Sequence, residues 1–227
     1  MYIFQSIKNL SKLEKRIWLS SLAVIFVSFI AVGSDEWLTV ITSLLGATAL
    51  IFVGKGDAIG QFLTIVFAVL YAIISYQFRY FGEMITYLGM TAPSAAIAMI
   101  NWLRHPYSER EVEVNEMTEK NWIVLFMGTV LATALFGVLL RMCGTANLFF
   151  STISVTTSFL ASMLTIFRSH FYALAYAAND VILIILWVLA TMENSNYIPM
   201  IICFIIFLVN DLYGYVNWQR MKKRQNK

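Results

Sequence analysis

The sequence predicts an all-α polytopic membrane protein. Three observations carry that expectation: apolar runs of about 20 residues recur along the chain, charge is scarce, and the basic residues gather on alternate connections. Hydrophobic residues make up 59% of the 227 and charged residues 13%, with a mean hydropathy of +0.73. A soluble domain carries about 25% charged residues. This chain cannot cover its surface with charge and needs lipid as its outer solvent. One membrane domain accounts for the whole length.

Eight spans are expected. The first, 17–32, follows a basic amphipathic leader with Lys8, Lys12, Lys15 and Arg16. A cleaved signal peptide needs small residues before its cut, which residues 31–33 supply only weakly, so the segment reads as a retained anchor. The second, 37–53, lies between GSDE and GKGD, and the third, 58–78, ends at FRYFGE. The fourth, 84–103, runs into a charged segment, 104–120, that holds five glutamates. The fifth, 121–140, ends at RMCGTAN; the sixth, 148–167, at RSH; the seventh, 171–191, at MENSN. The eighth, 197–218, meets the basic tail QRMKKRQNK. With the N-terminus in the cytoplasm, every Lys and Arg except Arg79 and Arg141 falls inside. Seven or nine spans would send the basic tail to the wrong side. Both termini are therefore expected in the cytoplasm of a bacterial-type inner membrane.

Two segments end alike, Ile100-Asn101-Trp102-Leu103-Arg104 and Val216-Asn217-Trp218-Gln219-Arg220. Their offset also pairs Leu44 with Leu160, Leu70 with Leu186, and Met84 with Met200. Three spans, a single linker span and three more make a 3+1+3 order, in which the linker returns the second triple to the orientation of the first. That is a parallel repeat of the SWEET-like type. The expected parts are an extra N-terminal helix with its outer loop (1–36), a first repeat (37–103), a loop and linker helix (104–147), a second repeat (148–218) and a basic tail (219–227).

Four stretches carry a family resemblance: Val53-Gly54-Lys55-Gly56; Leu70-Tyr71-Ala72-Ile73-Ile74-Ser75-Tyr76 with Tyr80-Phe81-Gly82-Glu83-Met84; Ile184-Ile185-Leu186-Trp187; and Asn210-Asp211-Leu212-Tyr213-Gly214-Tyr215-Val216-Asn217-Trp218. Together they resemble the PnuC-type vitamin transporters, whose best-known members carry nicotinamide riboside. The resemblance spans about residues 37–218 and is most specific in the last stretch. It implies a SWEET-like fold, a homotrimer, and passive carriage with trapping by a cytoplasmic kinase. The chain also departs from the family. Where members often carry W-x-x-x-N on the seventh span, Tyr176 and Asp180 stand here. A family Gln falls within Pro93-Ser94-Ala95-Ala96, and a family Asn falls at Phe67. The family includes carriers of thiamine, riboflavin and deoxynucleosides, so these departures leave the substrate open.

The substrate-binding candidates are Asp180, Tyr176, Asn179, Trp187, Asn210, Tyr213, Tyr71 and Tyr87. Asp180 leads, because an ionisable group in mid-membrane faces a cavity or a partner. Tyr172, Tyr176, Asp180 and Trp187 recur at spacings of four or seven and so share one helix face. A carboxylate beside aromatic rings suits a hydroxylated, cationic or ring-bearing ligand. The competing role for Asp180 is a buried partner that holds the bundle together. Asn179 points about 100° away and serves equally well as an interhelical bond. Asn210, Tyr213, Gly214 and Asn217 share a face of the eighth span, with ligand binding and helix glue as the two roles. Asp211 lies on another face and is expected to meet a basic group. Tyr71 reads first as packing, and Glu83 as a rim residue capping the fourth span.

The sequence contains no phosphate-cradling loop, hydrolytic triad or HExxH pattern, so an enzyme is not expected. Cys143 and Cys203 are far apart and the two histidines are isolated, so neither disulfide nor metal site is expected, and no cofactor. The short tail is an orientation signal with some attraction for anionic lipid, not a nucleic-acid site. The expected function is facilitated uptake of nicotinamide riboside or a related vitamin; a membrane scaffold or sensor is the alternative.

Overall fold

The computed structural model describes residues 2–33, 36–77, 81–145, 147–193 and 197–226. Arg79, Tyr80 of the second family stretch, and residues 194–196 of the MENSN stretch lie outside them. The order is α1 (Tyr2–Lys8), α2 (Lys12–Val32), α3 (Trp37–Gly54), α4 (Ile59–Gln77), α5 (Phe81–Thr86), a wide π-type turn (Tyr87–Thr91) and α6 (Ala92–Arg104). A small antiparallel ribbon, β1 (Pro106–Ser108) and β2 (Glu111–Val112), comes next. The last four are α7 (Glu119–Met142), α8 (Leu148–Ile166), α9 (Tyr172–Glu193) and α10 (Ile198–Gln225). The fold is mostly helical, as expected, and the ribbon is a small correction to a purely α reading. It is too short for its own hydrophobic pattern to have announced it.

Among the described residues, seven helices are long and apolar enough to cross a membrane: α2, α3, α4, α7, α8, α9 and α10. The expected fourth span is helical from Phe81 to Arg104 but broken near its middle. Pro93 causes the break: it lacks an N–H, and its ring crowds the carbonyl four residues back, at Gly89. The chain widens instead, and Ala92 N–H donates to the Tyr87 carbonyl. Such single wide turns are frequent at functional sites.

Local chemistry sets the helix ends. Ser11 and Glu14 form a reciprocal capping box on α2, with Glu14 N–H donating to Ser11 Oγ at 3.2 Å and Ser11 N–H to Glu14 Oε2 at 2.6 Å. Gly33 closes α2 in the left-handed conformation, φ 68°. Thr118 Oγ1 accepts the N–H of Asn121 at the start of α7.

The packing has a paired character. α3 packs on α4 and α4 on α6; α8 packs on α9 and α9 on α10. The first helix of each triple then meets the last of the other, α3 against α10 and α8 against α6. Two sets of hydrogen bonds mirror this. Asn101 Nδ2 donates to the Ile166 carbonyl at 2.6 Å, and Trp102 Nε1 to the Thr165 carbonyl at 3.0 Å. Asn217 Nδ2 donates to the Gly54 carbonyl at 2.9 Å, and Trp218 Nε1 to the Val53 carbonyl at 3.0 Å. Each Asn-Trp pair thus clasps the end of the other triple's first helix, where carbonyls lack intrahelical partners. The two indoles touch, 5.3 Å between centroids. The two bonded carbonyls lie 112 positions apart (Val53 and Thr165) and the two tryptophans 116 (Trp102 and Trp218), a difference of about one helical turn.

α3 and α10 approach closely at their glycines: a Cβ on Gly54 would lie 3.3 Å from Gly214 Cα. α2 lies against α3 and α10, outside the two triples. α7 packs chiefly on α8 and exposes Ile123, Phe126, Met127 and Leu131, an apolar surface that suits hydrocarbon, not water. At the end bearing both termini, Ser6 Oγ donates to Asp57 Oδ2 at 2.7 Å, and Arg110 Nη1 to Ser6 Oγ at 2.9 Å. Arg224 pairs with Glu111 there as well.

Candidate functional site

A cavity of about 80 Å³ lies between the triples, bounded by α3, α4, the wide turn, α8, α9 and α10. Tyr176 and Asp180 reach it from α9, Tyr87 from the wide turn, and Asp211 from α10. Phe67, Phe204 and Phe207 supply apolar wall, and Gln61, Thr64, Thr91 and Ser158 supply polar groups. Gly46 makes room: a Cβ there would lie 2.5 Å from Phe207 Cζ and 2.9 Å from Phe67 Cε2. A smaller hydroxyl-rich pocket adjoins it, shares Tyr87, Thr91 and Ser158, and extends past Ser151, Ser154 and Thr86 to Glu83.

Asp180 and Asp211 both line the cavity, from α9 and α10, and their carboxyls are neighbours. Both residues are buried, and Asp180 Oδ2 has no hydrogen-bond partner among the described residues. No Lys, Arg or His lines the cavity among the described residues. Asp211 was expected to meet a basic group; it meets another acid. The signal that marked Asp180, an acid in an apolar helix, applied equally to Asp211. Its lying one step from Asn210 obscured that, because α10 is buried on several faces and serves a different neighbour from each.

Of the sequence candidates, Tyr176, Asp180, Asn179 and Tyr87 line the cavity. Tyr176 Oη lies 3.3 Å from Ser162 Oγ. Asn179 is shared with the bundle, for its Oδ1 accepts from Thr157 Oγ1 at 2.8 Å and Ser154 Oγ at 3.1 Å. Tyr71 sits one layer back, its ring 4.4 Å from Tyr87 and 5.6 Å from Phe67. Asn210 and Tyr213 turn away from the cavity toward α2. Asn210 Nδ2 donates to Ser21 Oγ at 3.0 Å, and Tyr213 Oη to Glu14 Oε1 at 3.0 Å. The extra helix claims that face of α10. Trp187 shares a helix face with Asp180 but stands about 10 Å further along the axis, where it packs on Tyr197 and stacks on Phe204. Phe67, Phe207, Gln61 and Thr64 were not singled out as ligand contacts, because in an apolar helix nothing local separates a cavity-lining side chain from a core one.

A bundle of apolar helices with a polar, aromatic-walled cavity between two triples defines a membrane carrier. The nicotinamide mononucleotide transporter family model matches residues 36–220, and the chain belongs to that family. A nicotinamide riboside transporter PnuC from Neisseria mucosa is 27% identical over 210 residues, covering 90% of this chain and 78% of that one. The one from Haemophilus influenzae is 25% identical over 213 residues, covering 92% and 91%. Among solved structures, a crystal structure of the vitamin B3 transporter PnuC superposes with a TM-score of 0.83 at 26% identity, covering 96% of this chain and 94% of that one. The chain is a multi-pass membrane protein of a transporter family.

Proposed function

We propose that this chain is a facilitator for nicotinamide riboside, binding it in the cavity between the triples. The observation that carries the reading is that Asp180, Tyr176 and Tyr87 line one cavity inside this family's fold. The names of its relatives point to the same substrate. The chain crosses the membrane eight times, with Phe81–Arg104 as the fourth, kinked span, and the two triples form a SWEET-like parallel repeat. The reciprocal Asn-Trp clasps support that arrangement. The basic-residue bias supports a bacterial-type inner membrane with both termini in the cytoplasm. Family resemblance extends the proposal to a homotrimer and to trapping by a cytoplasmic kinase.

A water needs roughly 10–15 Å³ of such space, so 80 Å³ holds a handful of waters and not a nucleoside. The structure is thus a closed form, and the triples rock apart to admit ligand. Uptake into proteoliposomes tests the reading. Saturable entry of nicotinamide riboside, unaffected by a proton or sodium gradient, is expected. Entry of thiamine, riboflavin or a deoxynucleoside in its place reassigns the substrate; no saturable uptake of any vitamin by folded protein refutes a carrier.

A further inference from the structure

We propose that a second cavity, beside the β1–β2 ribbon at the end bearing both termini, is a lipid site that selects phosphatidylethanolamine, whose headgroup joins a phosphate to a primary ammonium. The cavity measures about 550 Å³, within the roughly 300–1,000 Å³ of ordinary ligand pockets. It is bounded by the turn between α3 and α4, the start of α4, the end of α6 and the ribbon, and shares no lining residue with the cavity between the triples. The site is therefore independent of what that other cavity carries.

An asymmetry between the triples makes the space. Pro106 ends α6, because the residue before a proline is pushed out of the helical region, and His105 stands at φ −129° and ψ 64°. α6 stops two residues past Trp102, whereas α10 runs seven residues past Trp218. The chain turns into the ribbon instead, and the cavity lies between ribbon and helices.

The lining fits the two parts of a phospholipid. Ile59, Phe62, Met99 and Leu103 form an apolar side, on which Phe62 and Leu103 are exposed. A hydrocarbon chain from the bilayer covers such side chains, where a water-soluble ligand leaves them wet. The ribbon brings charges of both signs, Glu109 and Arg110. Glu109 is exposed and makes no ion pair among the described residues. Arg110 donates to Ser6 Oγ and Gln5 Oε1, both uncharged. A guanidinium has five N–H donors, enough to serve α1 and a phosphate together. The phosphate then meets Arg110 and the ammonium meets Glu109. Asp57 and Glu111 also line the cavity, the latter paired with Arg224. Acids thus outnumber bases on the lining, which disfavours a headgroup of net negative charge. A choline headgroup has no N–H and forfeits the charge-assisted bond to Glu109.

The test uses the full chain in detergent, with native mass spectrometry and thermal unfolding. The probes are phosphatidylethanolamine, phosphatidylcholine and phosphatidylglycerol of identical acyl chains, and glycerophosphoethanolamine, which has the headgroup and no chains. Phosphatidylethanolamine is expected to bind about fivefold or more tighter than either other lipid and to raise the melting temperature the most. Glu109→Gln, at an exposed position, should bring its affinity to that of phosphatidylcholine. Leu103→Asn should weaken both of those lipids alike. Equal binding of all three lipids, or preference for phosphatidylglycerol, overturns the selection. A preference that survives Glu109→Gln overturns this cavity as its source. Binding of glycerophosphoethanolamine as tight as that of the lipid makes the ligand a soluble phosphodiester and overturns a lipid site.

Discussion

Replacing either clasp tryptophan by phenylalanine should weaken the protein by the same amount, about 2 kcal/mol. Trp102 and Trp218 are both buried, and each indole N–H donates to a carbonyl at 3.0 Å. Losing that bond costs about 1 kcal/mol. The acceptors are not orphaned, because Thr165 still accepts from Arg168 N–H and Val53 from Gly56 N–H. The larger penalty of an unpaired buried carbonyl therefore does not arise. The smaller ring removes roughly 40 Å² of buried apolar area, about 1 kcal/mol more. Because the rings touch, the double variant should lose less than the sum of the two. Denaturant unfolding in detergent, with wild type and the three variants side by side, reads this directly. Costs differing by more than about 1 kcal/mol, outside the usual spread of such values, would refute the equivalence of the two clasps and with it the paired reading of the triples.

Gly46→Ala should lower stability by about 1–3 kcal/mol, the usual cost of overpacking, and weaken ligand binding, because the new methyl drives Phe207 and Phe67 toward the cavity; unchanged melting temperature and affinity would place that space elsewhere. Cys143 is exposed just beyond Met142 and Cys203 is buried, so an impermeant thiol reagent added to intact cells should label Cys143; labelling only after lysis would invert the proposed topology. His170, in the turn between α8 and α9, has its pKa pushed below 6.5 by burial and by Lys222, with Glu116 opposing. The unfolded chain then binds more protons than the folded one as pH drops through 6.5, so stability falls on acidification. His170→Gln should flatten the melting temperature over that range, and an unchanged pH profile would show that the ring carries none of the effect.

The sequence by itself determined the bundle. Apolar runs of membrane length, the placement of basic residues and the recurrent Asn-Trp ending marked the helices to within a few residues, because each signal is local and lipid tolerates few alternatives. It also marked Asp180, since an acid in an apolar helix needs a reason. Tertiary structure decided which neighbours share a cavity. Asn210 and Asp211 are adjacent in sequence, yet one bonds Ser21 of α2 and the other meets Asp180. Trp187 shares Asp180's face but stands two turns away, and Phe67, from another helix, lines the cavity with Asp180. Helical periodicity tells which way a side chain points on its own helix; what stands opposite depends on how six elements converge. The wide turn at Tyr87 and the carbonyls that Trp102 and Trp218 reach likewise depend on how Pro93 and the clasps are accommodated across the bundle.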